Sequence, residues 1–107
     1  MNKVYVDDKM EILKPGHEYK NKYLHIRFQD GAVQEVGDVN GTCNETILEM
    51  LIDRMNYLQD IHQGGKFKCR ENSLVITKLE EALHWLEHRT HKRLLQGVEG
   101  LNQVHKS

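Results

Sequence analysis

Cysteine is scarce in this chain: Cys43 and Cys69 are the only two among 107 residues. They form neither a CxxC pair nor a disulfide framework, so a stapled secreted scaffold is excluded and reduced thiols in a cytoplasm are expected. The opening MNKVYVDDKM has no apolar run of the signal-peptide kind, and no stretch approaches membrane-spanning length. An excess of either charge is also missing. Fifteen Lys and Arg stand against sixteen Asp and Glu, a net charge of −1. A domain that coats DNA or RNA carries a basic excess, so any phosphate recognised here falls to a few placed arginines. Catalytic signatures are absent as well. No serine or cysteine stands in a nucleophile motif, and there is neither a Gly-rich phosphate loop nor an HExxH pair. The sequence offers places to bind and none to react, so no catalytic residue, cofactor or metal is expected.

What is present describes one small α+β domain. Hydrophobic residues make up 38% and charged residues 29%, the balance of a folded chain rather than a disordered one. At this length a single modest core is available, and partner subunits often complete such cores. Residues 1–41 read as a β-ribbon region, and residues 42–107 as a long antiparallel αα-hairpin with a C-terminal tail. Lys3–Val6 and Met10–Leu13 are β-type runs, and Pro15-Gly16 breaks the chain. Leu24, Ile26 and Phe28 alternate as in a half-buried strand. Asp30-Gly31 then predicts a hairpin with Ala32–Val36 as the returning strand.

The first helix is capped by Thr42, with Glu45 at capping-box spacing, or by Asn44. Its apolar residues Ile47, Leu48, Leu51, Ile52, Met55 and Leu58 run at helical spacing to about His62. Gln63-Gly64-Gly65-Lys66 is the break. Asn72 or Ser73 caps a second helix that runs to about Gln96, with Gly97 placed for a left-handed C-cap. Met50, Ile76 and Trp85 lie off the main stripes, which predicts a homodimer at least.

The second helix carries the candidate chemistry. Val75, Leu79, Ala82 and Leu86 form a packing stripe that continues into Arg89 and Arg93. Two guanidiniums four residues apart make a fork for two phosphates. A solvated charged helix end accounts for the same pair. Asn72 lies seventeen residues before Arg89, about 25 Å along a helix, so one small ligand reaches both only across an antiparallel pair of chains. Phe67, in the basic loop Lys66–Arg70, either stacks on a base or plugs the helix hairpin. Arg54 sits mid-helix and reaches a subunit interface or an ion pair. His84, His88 and His91 share one face at i, i+4 and i+7, a spacing open to a metal. A solvated polar face explains them without one.

Three runs carry a family resemblance: NETILEMLIDRMNYLQ (Asn44 to Gln59), CRENSLVITKLEEALHWLEHRT (Cys69 to Thr90) and RLLQGVEGLNQ (Arg93 to Gln103). They resemble the phage Thoeris anti-defence protein one family, whose hairpin is similar to that of the anti-CBASS cyclic-nucleotide sponges. The resemblance covers roughly residues 42–103, and the preceding β-ribbon fits the anti-Thoeris branch. It implies a phage-encoded sponge that sequesters NAD-derived glycocyclic ADP-ribose signals without cleaving them, in the host cytoplasm, so that the Thoeris effector stays silent. Cyclic di- or trinucleotides are implied as further ligands for some members, and assembly as a hexamer of three dimers. Carried onto this chain, the ligand-contacting arginines fall on Arg89 and Arg93 and the polar contact on Asn72. Phe67 stands for the loop aromatic, with Arg70 beside it, and Arg54 for a second, cyclic-nucleotide site. Two rival readings remain: an interaction module that docks a host protein, and an enzyme degrading the same signal through metal on His84, His88 and His91.

Overall fold

The computed structural model describes residues 9–95. The run Lys3–Val6, the Gly97 cap and the tail lie outside them. The fold class is as the sequence indicates: a small antiparallel sheet followed by helices. Three strands, β1 (Glu11–Lys14), β2 (Glu18–Lys20) and β3 (His25–Arg27), form a meander in the order β1-β2-β3. Pro15 and Gly16 make the first turn. His17 N–H donates to the Lys14 carbonyl at 2.9 Å, and Gly16 takes φ +76°, which a type II turn requires at its third position. At the second turn the Asn21 side chain accepts from the Tyr23 N–H at 2.9 Å.

The strand register separates two faces. Ile12, Tyr19 and Ile26 pair across one, with Phe28 set edge-on to Tyr19 at 6.0 Å. The other pairs Lys14 with Glu18 and Glu18 with Arg27, after a bulge between Ile12 and Lys14. His25 Nε2 lies 2.6 Å from a Glu18 carboxylate oxygen and Arg27 lies 3.7 Å from the same atom. Lys14 and His17 both reach Asp30.

The expected hairpin at Asp30-Gly31 does not form. Ala32–Val36 curls instead into one turn of helix, α1 (Val33–Val36), closed by Gly37 at φ +80°. Side-chain amides satisfy the backbone that a ladder would have paired. Asn40 exchanges two hydrogen bonds with the Asp30 backbone, at 2.8 and 2.9 Å. Gln29 holds Asn40 N–H and donates to the carbonyls of Gly31 and Asp38. Beyond this loop Thr42 makes a parallel bridge with Phe28. Gly41 is required there, since a Cβ would stand 2.4 Å from the Phe28 carbonyl carbon.

The helical hairpin consists of α2 (Asn44–Asn56), a π-helical turn (Tyr57–Ile61), a 3₁₀ segment (His62–Gly65) and α3 (Arg70–Leu95). The break at Gln63–Lys66 falls where the glycines place it, with Gln63 at φ 49° and Gly64 at φ 70°. Neither expected cap on α2 is used. Its N-cap is Cys43, without a side-chain cap bond, because the bridge already engages the Thr42 backbone. At α3 the helix starts at Arg70, so Asn72 and Ser73 lie inside its first turn and neither is the cap. Gln59, only 3% exposed, does that work from the other helix. Its Oε1 accepts from the Cys69 N–H at 3.0 Å, and its Nε2 donates to the Cys69 carbonyl at 2.9 Å and to Ser73 Oγ at 2.6 Å.

The packing stripe of α3 is rotated from the expected one. Asn72, Ile76, Leu79, Leu83, Leu86, Thr90 and Arg93 are the half-buried or buried residues at alternating spacings of four and three, whereas Val75, Ala82 and Arg89 are exposed. Turning Ile76 and Leu83 inward covers more apolar area than turning Val75 and Ala82. No apolar side chain among the described residues is fully buried.

Two expected outcomes follow from this packing. Gln59→Leu keeps the volume but leaves the Cys69 N–H without its acceptor, a loss of about 1–3 kcal/mol that denaturant unfolding will read. The second concerns pH. The His25 hydrogen bond, with Arg27 adding, holds the Glu18 carboxyl below its ordinary 4.5 against the opposing effect of desolvation. Lys14 first, then His17, lowers Asp30 from 3.8 in the same sense. A depressed carboxyl stabilises the fold above its unfolded value and loses that contribution as pH falls through the folded one. The sheet therefore loosens in acid below about pH 4.5, and Glu18→Gln with Asp30→Asn flattens the dependence. Backbone amide spectra of residues 11–30 through an acid titration check this.

Candidate functional site

The residues singled out by the sequence divide between the two ends of α3. At the turn end, Phe67 is 52% exposed and stacks on the His62 ring, centroids 5.9 Å apart and planes inclined by 27°. The Lys66 ammonium lies 5.7 Å above the Phe67 ring. Tyr57 meets the other side of the cluster, 5.9 Å from His62. Phe67 is thus the outer ring of a row of three at the turn. Arg70 opens α3 and is exposed, while Asn72 is half-buried on the face toward α2. Lys68 pairs with Asp60 at 3.4 Å, so this end gathers aromatic faces and cations around one turn.

At the far end the two arginines differ in setting. Arg93 is 6% exposed near the end of α3; Arg89, one turn before it, is exposed. A single turn of helix therefore holds one guanidinium ordered by burial and one open to solvent. Within one chain the helix is unbroken from Arg70 to Leu95, so Asn72 and Arg89 stay about 25 Å apart. The structure brings Phe67, Arg70 and Asn72 to one end and Arg89 and Arg93 to the other, and does not join the two sets. Arg54 is exposed midway along α2.

His84 and His88 both turn to Trp85, with near-perpendicular rings at 5.7 and 5.8 Å. Among the described residues no group of three His, Cys, Asp or Glu side chains converges to hold a metal ion. An apolar concavity lined by Met10, Tyr19, Leu24, Ile26 and Phe28 lies on the sheet and includes none of the candidate residues. Sequence reasoning missed Gln59, Tyr57 and His62. Tyr57 and Ile61 at i, i+4 signalled an exposed apolar flank, but a buried glutamine bonded across the turn has no periodic signature.

A family model described as the Acb2/Tad1 hairpin domain matches residues 20–90, which takes in β3, α1, α2, the turn and most of α3. The chain is also 44% identical over 86 residues to a Bacillus phage SBSphiJ7 protein named Thoeris anti-defense 1. That match covers 80% of this chain and 57% of the relative, so the chain spans a little over half the relative's length. With most of the hairpin inside both matches, this chain belongs to the Acb2/Tad1 hairpin-domain family.

Proposed function

We propose that this protein is a phage anti-defence sponge that binds NAD-derived cyclic ADP-ribose signals in the host cytoplasm and sequesters them without cleavage, thereby blocking Thoeris immunity. The observation that carries this reading is the pair Arg89 and Arg93 at the end of α3, one exposed and one ordered by burial, within a chain 44% identical to a Thoeris anti-defense protein. Two adjacent phosphates give up water on entering a protein cleft. Charge-assisted hydrogen bonds, each about 1.5–3 kcal/mol, offset that loss. An arginine already buried near the end of α3 is preorganised to give them, since its side chain loses little further freedom on binding.

The site is completed by a second copy. An antiparallel dimer sets Phe67, Arg70 and Asn72 of one chain against Arg89 and Arg93 of the other, twice by symmetry. The exposed Met50, Leu51, Leu74 and Val75 supply apolar surface for the assembly, a hexamer of three dimers. Arg54, exposed between Met50 and Tyr57, belongs to a separate site for cyclic di- or trinucleotides.

Arg93→Ala is expected to weaken glycocyclic ADP-ribose binding at least tenfold, about 1.4 kcal/mol, by calorimetry. Arg93→Lys recovers part of it, because lysine keeps the charge and loses the planar fork. Asn72→Ala weakens the same ligand from the far end of the helix. Mixing the two variants restores one working site per heterodimer; a mixture as weak as its components would rule out the shared site. Retention without chemistry is checked separately. Ligand recovered after heat denaturation of the complex is intact, and chelator leaves affinity unchanged. Recovery of a hydrolysed product would replace the sponge by an enzyme.

A further inference from the structure

Residues four apart on a helix stand one above the next along a single ridge. Trp85, Arg89 and Arg93 are three successive members of one such ridge on α3. Trp85 is 66% exposed and Arg89 is exposed, whereas Arg93 is only 6% exposed. His84 and His88 stand nearly perpendicular to the indole, at 71° and 88°, and leave two-thirds of it open. An indole ordered in this way loses little freedom when a planar ligand stacks on it.

We infer that Trp85 is the stacking platform for the base of the nucleotide whose phosphates meet Arg89 and Arg93. The inference rests on the reading of those two arginines as phosphate ligands. Side chains at i and i+4 start about 5–6 Å apart at Cβ, a gap that the ribose between a base and its phosphate spans. The charges on the ridge suit that orientation. Glu81, one turn before Trp85, is paired with Lys78 at 3.7 Å, while cationic Arg89 lies one turn after it. The base side of the ridge is therefore neutral and the phosphate side positive. Stacking discriminates poorly among bases, so Trp85 sets affinity for an aromatic nucleotide and the arginines set preference for its phosphates. Phe67 then contributes from the partner chain's half of the cleft.

Trp85 is the single tryptophan in the sequence, so emission excited selectively at tryptophan, beyond the absorption of the four tyrosines, reports on this position alone. The full chain is titrated with glycocyclic ADP-ribose, following emission and heat together, with sedimentation of each variant alongside. Emission is expected to change and to saturate at the same ligand ratio as the heat. Trp85→Leu should weaken binding roughly tenfold or more at unchanged particle mass, and Trp85→Phe, which keeps an aromatic face, should lose less. Should Trp85→Leu not fold, the phenylalanine variant and the wild-type emission decide the matter. Heat with silent emission, or a leucine variant that binds like wild type, overturns this role and leaves the arginine reading standing. A loss of affinity that accompanies a drop in mass assigns Trp85 to subunit packing and also overturns it. No heat from the wild type removes the arginine reading itself, and this inference with it.

Discussion

Ile47, Leu48, Ile52 and Met55 of α2 and Ile76, Leu79, Leu83 and Leu86 of α3 form the seam along which the two helices touch, and all eight remain partly open to water. Full burial of such a side chain is worth about 1.5–3 kcal/mol, so stopping halfway leaves roughly 1 kcal/mol unrealised at each. Two helices cannot surround one another, and the sheet does not cover this seam as a third layer. Everything else in the described chain is arranged around that shortfall. The polar groups that are most completely buried among the described residues, Gln59 and Arg93, lie at the turn and near the end of α3.

Gln59 sets the phase of the hairpin. A side-chain amide that grips both the N–H and the carbonyl of Cys69 copies the pairing of two backbones, so α3 begins at a defined height and rotation relative to α2. That rotation decides which residues of α3 face inward. Along α3 it leaves Trp85 and Arg89 exposed. The widened π-helical turn around Gln59 and the left-handed Gln63-Gly64 pair close the connection, and the ring row of Tyr57, His62 and Phe67 stands over it. One buried amide thus orients both halves of the proposed ligand cleft.

Much of this was legible in the residues. Pro15-Gly16, the β-type run at Met10–Leu13, the apolar spacing from Ile47 to Leu58 and the glycine break after Gln63 all act locally, and local signals survive into the fold. The Asp30-Gly31 hairpin did not, because its alternative depends on Gln29 and Asn40, eleven residues apart, bonding across a loop. The α3 stripe was misread by part of a turn. Val75 and Ala82 satisfy helical spacing as well as Ile76 and Leu83 do, and only the partner helix chooses between them. The caps failed for a related reason: Thr42 was claimed by Phe28 and the start of α3 by Gln59, both partners remote in sequence. The candidate residues themselves are named from their chemistry and from the family resemblance. Their division between the two ends of a 26-residue helix follows from its length alone.

A seam without a fully enclosed apolar side chain has a consequence in the proposed setting of infection. When subunits complete one another's cores, folding free energy includes a mass-action contribution, and thermal stability rises with the amount of protein present. The first copies made are then the least ordered and the most open to proteolysis. Later copies protect one another as they accumulate. In the proposed shared site, a phosphate-bearing ligand would add to the same balance, since each molecule captured would hold two chains together. A sink of the proposed kind would grow firmer as it fills, and its capacity would depend on how quickly translation carries it past that threshold.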